Sequence, residues 1–143
     1  NQTIKELKKC LSGMDVSEDT TELVVPNNRC NDVVILNMSA FTKLRVLSIG
    51  DGCFENVSEL KLIGLGELES VVIGMNSFSS SSGVFTLQRC DSLTELTIGH
   101  SSFDSYHEIV LDGVPVLESV RVGDGCFVSS SLELKGENGC VVS

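Results

Sequence analysis

A motif of eleven residues recurs along this chain at an almost constant spacing. Its copies are LRVLSIGDGCF from Leu44, LESVVIGMNSF from Leu68, LTELTIGHSSF from Leu93 and LESVRVGDGCF from Leu117, so the starts lie 24, 25 and 24 residues apart. A fixed period of this length is typical of stacked coils, because one short coil cannot bury its own apolar side but neighbouring coils can bury each other's. The spacing therefore predicts a solenoid.

Each position of the motif keeps its own kind of residue. Counted from the start, positions 4 and 6 are aliphatic, position 7 is glycine and position 11 is phenylalanine. A degenerate earlier copy begins at Thr20, with Pro26 at the glycine position and Cys30 at the phenylalanine position. Apolar residues alternate around positions 3–6 and again around 17–19, which predicts two short strands in each coil. We therefore expect a mostly β solenoid of about five coils over residues 20–143, ending inside a sixth repeat.

The first nineteen residues lie outside the repeat and show another pattern. Ile4, Leu7, Leu11 and Met14 recur at the spacing of one helical face. This predicts a short amphipathic helix over residues 1–19 that caps the solenoid.

The form L-x-x-L-x-I/V-x-x-N/G-x-F resembles the leucine-rich repeat. The family pattern L-x-x-L-x-L-x-x-N-x-L is met at Leu68, Val71, Ile73, Asn76 and Phe78. The chain is also similar to the BspA-like subclass in coils such as VFTLQRCDSLTELTIG. The resemblance implies a right-handed, arc-shaped solenoid that binds other macromolecules on an exposed face, and it implies no catalytic chemistry.

Charge and composition narrow the classes of partner. The formal net charge is −10, with 41% hydrophobic residues. Because polyanions are bound through Lys and Arg, this balance argues against nucleic acids and acidic membrane surfaces. No apolar run approaches the ~18 residues of a membrane span. We therefore expect no nucleic acid, no membrane insertion, and a protein or peptide partner that is basic or neutral.

The predicted binding face follows from strand geometry. Side chains alternate across a strand, so positions 2, 3, 5 and 8 point outward if the Leu and Ile columns are buried. These positions combine acids with small apolar groups and two arginines, which suits a basic protein or peptide segment. The predicted face comprises Glu22, Arg45, Ser48, Asp51, Glu69, Val72, Met75, Glu95, Thr97, His100, Glu118, Arg121 and Asp124. The alternative function is a structural unit that self-associates, or stacks on further repeats, through an open C-terminal edge.

The six cysteines do not form a zinc pattern, because no C-x-x-C occurs. Cys53 and Cys126 occupy one column three coils apart, about 15 Å at the usual strand separation. A disulfide needs Cα atoms within about 7 Å. These two therefore cannot pair, and Cys10–Cys30 and Cys30–Cys53 remain as the open pairings.

Two features of the sequence indicate different cellular compartments. Sequons of the form N-x-S/T occur at Asn1, Asn37 and Asn56 and favour the secretory route. A majority of free thiols favours a reducing compartment. Extracellular or cell-surface and cytoplasmic locations both stay open.

No catalytic or cofactor motif is present. The sequence has no G-x-S-x-G, no phosphate-binding glycine loop, and only two histidines, His100 and His107, which we expect in columns unrelated to any serine nucleophile. Asp51 and Asp124 would face Met75 and His100 across the coils, too few oxygens for calcium. We therefore expect a protein that is not an enzyme and that has no cofactor and no metal.

Overall fold

Short strands follow one another along the chain. The structure, a computed structural model, describes residues 4–6, 17–79, 82–127 and 131–135, with the backbone alone at 4–6 and 131–135. The strands are β1 (Ile4–Glu6), β2 (Glu22–Val25), β3 (Ile35–Asn37), β4 (Val46–Ile49), β5 (Glu59–Ile63), β6 (Ser70–Ile73), β7 (Val84–Gln88), β8 (Glu95–Ile98), β9 (Glu108–Asp112), β10 (Ser119–Val122) and β11 (Ser131–Lys135).

From β2 onward, successive strands alternate between two parallel sheets. The main sheet has the order β1-β2-β4-β6-β8-β10, and the second sheet has the order β3-β5-β7-β9-β11. Each step across the main sheet is one sequence repeat, since Leu23 pairs with Leu47 and Leu47 with Val71. The chain is therefore a parallel β-solenoid, with four complete turns between β2 and β10.

The two predicted strands of each coil are confirmed. β4 covers positions 3–6 of its repeat, and β5 contains positions 17–19. Burial alternates along both strands, with Leu47, Ile49, Leu60 and Leu62 inside. Stacking places chemically equal residues above one another, so the apolar columns form one continuous core.

The predicted N-terminal helix is wrong at Ile4–Glu6, which form β1. This strand pairs in parallel with β2, with Ile4 opposite Glu22. A short helix is marginal in water, whereas the edge of β2 offers a row of backbone donors and acceptors. The rest of that prediction, residues 7–16, lies outside the described residues. Within the described part of the chain, no helix is long and apolar enough to cross a membrane.

The phenylalanines of position 11 form a stacked column through the core. Ring centroids are 5.4 Å apart for Phe54 and Phe78, 4.6 Å for Phe78 and Phe103, and 5.1 Å for Phe103 and Phe127. Phe78 and Phe103 are completely buried, whereas Phe127, in the last coil, is half-buried. The column therefore joins four consecutive coils.

Each coil bends after its main-sheet strand through two residues in the left-handed region. Position 11 has this conformation in Phe78 (φ 55°), and position 9 has it in Asn76 (φ 57°) and Gly52 (φ 68°). Glycine and asparagine tolerate positive φ better than other residues. Four of the five position-9 residues are accordingly Asn or Gly, and Ser101 adopts the same conformation (φ 61°) in the fourth coil.

The glycines of position 7 allow neighbouring coils to approach closely. Gly74 and Gly99 donate backbone hydrogen bonds of 2.8 Å to Ile49 and Ile73 of the preceding coil. A Cβ on Gly99 would lie 2.6 Å from the carbonyl carbon of Gly74. These positions therefore exclude a side chain because the backbones themselves are in contact.

Tyr106 is the single tyrosine of the chain and is completely buried. Its hydroxyl donates to the carbonyl of Val57, and its ring packs edge-on against Phe103 at 4.8 Å. Burial of the hydroxyl raises the pKa of Tyr106 above its ordinary value of 10.0. The phenol of Tyr106 is therefore harder to deprotonate in the folded state than in the unfolded state.

This burial predicts a loss of stability at alkaline pH. Because the folded pKa lies above the unfolded one, the contribution of Tyr106 is complete below about pH 10 and is lost as the pH rises beyond it. Phenolate absorbance should appear together with the loss of the β-sheet circular dichroism signal, and Tyr106→Phe should flatten this part of the pH dependence. A phenolate that titrates near pH 10 in the folded protein would contradict the burial.

Candidate binding surface

The thirteen predicted face residues lie in the main-sheet strands, in the bend that follows them or, for Arg45, Glu69 and Glu118, directly before a strand. In β4 and β6, Leu47, Ile49, Val71 and Ile73 are buried, whereas the residues between them are half-buried. The predicted residues are exposed or half-buried throughout. The repeat thus brings together side chains that are up to a hundred residues apart in sequence.

The central column of this face runs across five strands in register. Val24 lies beside Ser48, Ser48 beside Val72, Val72 beside Thr97 and Thr97 beside Arg121. Parallel strands are about 4.8 Å apart, so these side chains form a continuous ridge. The ridge consists of small side chains, two valines and two hydroxyl residues, and it ends in a cation at Arg121.

One arginine of the face forms an ion pair with one of its acids. Arg45 Nε lies 3.1 Å from Glu69 Oε2, and the two side chains are 40% and 49% exposed. The hydrogen bond and charge of Glu69 raise the pKa of Arg45 above its usual value. An exposed pair of this kind adds little stability. The face has six acids and two arginines. One of these arginines, Arg45, is already neutralised by its pair with Glu69.

The bend residues at position 8 also hold the coils together, which the sequence prediction missed. Asn27 Oδ1 accepts from the backbone NH of Asp51, Asp51 Oδ1 accepts from that of Met75, and His100 Nδ1 accepts from that of Asp124, each at 2.8 Å. Asp51 and His100 are therefore structural as well as surface groups. Every position-8 residue except Met75 carries a side-chain acceptor, and this shared property is the signal that could have revealed the ladder.

A buried ladder of serine and cysteine was also missed. At position 10, the Cys53 thiol donates to the Pro26 carbonyl (3.0 Å) and the Cys126 thiol to the Gly99 carbonyl (3.1 Å). The hydroxyls of Ser77 and Ser102 occupy the same column and donate to Gly50 (2.9 Å) and Gly74 (2.6 Å). Cysteine and serine are interchangeable here because both are small donors.

The cysteines divide into one paired and several free residues. Cys30 is disulfide-bonded, and its partner lies outside the described residues. Cys53, Cys90 and Cys126 are free thiols, so the pairing Cys30–Cys53 is wrong. The prediction that Cys53 and Cys126 do not pair is confirmed, because they lie in one column of different coils.

Exposed aliphatic side chains occur at three separate places among the described residues, one of them Val116 in the turn before β10. Met75, 44% exposed, lies in the bend beside the main sheet. Val34 and Ile35, 57% and 60% exposed, lie at the second sheet's edge strand β3 and were not part of the predicted face. Apolar area is thus available both at the predicted face and at one edge of the solenoid.

One serine and one histidine come together, contrary to the expectation of unrelated columns. Ser82 Oγ and His107 Nδ1 are 3.1 Å apart, and both residues are exposed. Nucleophilic catalysis also needs a third group that orients the histidine. Among the described residues, no acidic side chain hydrogen-bonds to His107. The described residues likewise contain no cluster of three His, Cys, Asp or Glu side chains that could hold a metal ion.

Comparison with known proteins identifies no relative: no protein-family model, no curated protein and no solved structure matches the chain significantly.

Proposed function

We propose that this protein is a non-enzymatic binding module that recognises a protein or peptide on the outer face of its main sheet. The observation that supports this most directly is the in-register ridge of Val24, Ser48, Val72 and Thr97 with acids along its flanks. Small side chains leave room for a ligand backbone, and the acids attract a basic segment. An extended Lys- or Arg-containing peptide is the ligand that fits this surface.

We further infer that the coils are leucine-rich repeats. The inward residues Leu68, Val71 and Ile73 of the family pattern are buried, and Asn76 occupies the bend that follows them. We also infer that the solenoid is right-handed, since nearly all crossovers between parallel strands of one sheet have that hand. Both inferences support a binding role, because repeat solenoids commonly present an extended binding surface.

The binding proposal predicts a loss of affinity on charge reversal. Peptides first selected from a random displayed library against the wild-type chain should be enriched in Lys and Arg. Glu69→Lys, Glu95→Lys and Glu118→Lys combined should then weaken binding of a selected peptide by about 3- to 150-fold, because each exposed pair contributes ~0.2–1 kcal/mol. Isothermal titration calorimetry measures the change, and higher salt should also reduce the affinity.

A matched variant controls for net charge. Glu55→Lys, Asp104→Lys and Glu108→Lys change the total charge by the same amount, and these residues lie outside the predicted face. This triple variant should bind the selected peptide within about twofold of wild type, well under 1 kcal/mol. Equal weakening by both variants, or selected peptides without basic residues, would argue against the face.

One observation favours self-association or stacking as a second function. Ile98, Ser102 and Phe103 are buried in the fourth coil, whereas their equivalents Val122, Cys126 and Phe127 in the fifth are only half-buried. A further coil stacked on β10 would complete their burial.

The stacking proposal predicts a mass that depends on concentration. Light scattering should show growth with protein concentration, because association through an open sheet edge follows mass action. Arg45→Glu together with Glu69→Arg exchanges an exposed ion pair beside β4 and β6, away from β10, and should leave this growth unchanged. A constant monomer mass at high concentration would exclude self-association.

A further inference from the structure

A sequon lies on the edge strand of the second sheet. Asn37 is exposed at the end of β3, the outermost strand of that sheet among the described residues. The backbone NH of Ser39 donates to Asn37 Oδ1 at 3.0 Å, so the first and third residues of the sequon are held together in a tight turn. Nδ2 of Asn37 makes no hydrogen bond to the described residues. The side chain is thus exposed, with its oxygen engaged in the turn and its nitrogen not engaged by the described residues.

The second described sequon is less suited to modification. Asn56 is exposed, but its Nδ2 donates to the Asn31 carbonyl at 2.6 Å. The backbone NH of Ser58, the third residue of that sequon, donates to Val34 at 2.9 Å, within the packing of adjacent coils. The third sequon, at Asn1, lies outside the described residues. Of the two that can be compared, Asn37 has the more accessible nitrogen.

The cysteines indicate an oxidising compartment. A disulfide at Cys30 is expected where proteins are oxidised. Of the three free thiols among the described residues, Cys53 and Cys90 are completely buried and donate to the carbonyls of Pro26 and Leu62. Cys126 is half-buried, and its thiol donates to the carbonyl of Gly99. Burial raises the pKa of the Cys53 and Cys90 thiols, so little thiolate is present to react. Buried thiols can therefore persist beside the disulfide.

We propose that Asn37 is a site of N-linked glycosylation and that the chain passes through the secretory route. In the transfer, Asn37 Nδ2 forms a bond to the anomeric carbon of a lipid-linked oligosaccharide diphosphate. The bond from that carbon to the diphosphate oxygen breaks, the lipid diphosphate leaves with the electron pair, and Nδ2 gives one proton to a base of the host transferase. No oxidant or reductant takes part.

A glycan at Asn37 would cover part of the exposed edge of the second sheet. Ile35 on the same edge strand and Val34 directly before it are more than half exposed, and an exposed apolar edge invites pairing with other chains. A hydrophilic glycan at Asn37 shields this edge and leaves the outer face of the main sheet open. The proposal is independent of the binding function, because it concerns the other sheet.

The test uses the full chain behind a cleavable secretion leader in a eukaryotic host. Peptide mapping by mass spectrometry should show Asn37 bearing an oligosaccharide in most secreted molecules, and treatment with peptide N-glycosidase should convert it to Asp. The same map, without reduction, should show Cys30 in a disulfide. An unmodified Asn37 in secreted protein that carries this disulfide would overturn the proposal, as would modification at Asn56 in its place.

Two variants at one position supply the matched control. Ser39→Ala destroys the sequon while keeping Asn37, and it should remove one glycan from the intact mass. Ser39→Thr preserves the sequon and should keep the glycan, and Asn56→Gln should also keep it. A mass loss that is the same for Ser39→Ala and Ser39→Thr would count against modification at Asn37.

Discussion

Replacing Phe78 with alanine is expected to lower the free energy of unfolding by about 3–5 kcal/mol, the range for a fully buried aromatic side chain. Phe78 is completely buried and stacks between Phe54 and Phe103. Its removal leaves a cavity in the middle of the aromatic column, and the fixed separation of the coils limits how far the neighbours can collapse into it. Urea unfolding, followed by circular dichroism, measures the change.

Phe127 supplies a matched control at the end of the same column. Its φ of 51° is close to the 55° of Phe78, so both alanine variants keep the same unfavourable backbone conformation. Phe127 stacks against Phe103 but is only half-buried, whereas Phe78 is completely buried. Phe127→Ala should therefore cost clearly less than Phe78→Ala. Equal costs would show that the column does not determine the stability of the core.

Gly99→Ala is expected to destabilise the protein by about 3 kcal/mol or to prevent folding, at the upper end of what overpacking costs. An added Cβ would lie 2.6 Å from the Gly74 carbonyl carbon and 2.7 Å from the Met75 nitrogen. These contacts are with backbone, so no rotamer change can relieve them. The coils would have to separate, which would lengthen the hydrogen bond from Gly99 to Ile73. Yield of folded protein and the urea midpoint measure the effect.

Gly66→Ala is the matching substitution without a clash. A Cβ at Gly66 meets no atom within 4 Å, and the residue is not among those with positive φ. Alanine there should change stability by less than about 1 kcal/mol, in the stabilising direction, because it restricts the unfolded chain. If Gly99→Ala were as mild as Gly66→Ala, the close backbone approach of neighbouring coils would be refuted.

Much of the fold could be predicted from the repeat because each column keeps one chemical type. The spacing between Leu47 and Val71 in sequence is also their register in the main sheet, so the period alone predicts which residues are neighbours. The direction of the candidate face followed from the same alternation, since Leu47 and Ile49 must be buried if the solenoid is to have a core.

Features that depend on contacts between coils could not be predicted in this way. The hydrogen bond from the Met75 NH to Asp51 Oδ1 and the contact between Ser82 and His107 join residues about one coil apart. The recurring acceptor at position 8 marks Asp51, but no such pattern marks Ser82 and His107. The strand at Ile4–Glu6 could not be predicted either, because it forms only through pairing with the edge of β2.

The sequence alone therefore determines the period, the buried columns and the side of the main sheet that faces outward, since these depend only on repetition and on the two-residue alternation of strands. The tertiary structure decides how the coils are held together. Backbone carbonyls and amides at each bend need hydrogen-bond partners. The side chains of Asn27, Asp51, Ser77 and His100 form these hydrogen bonds. Those partners exist only after the coils have stacked.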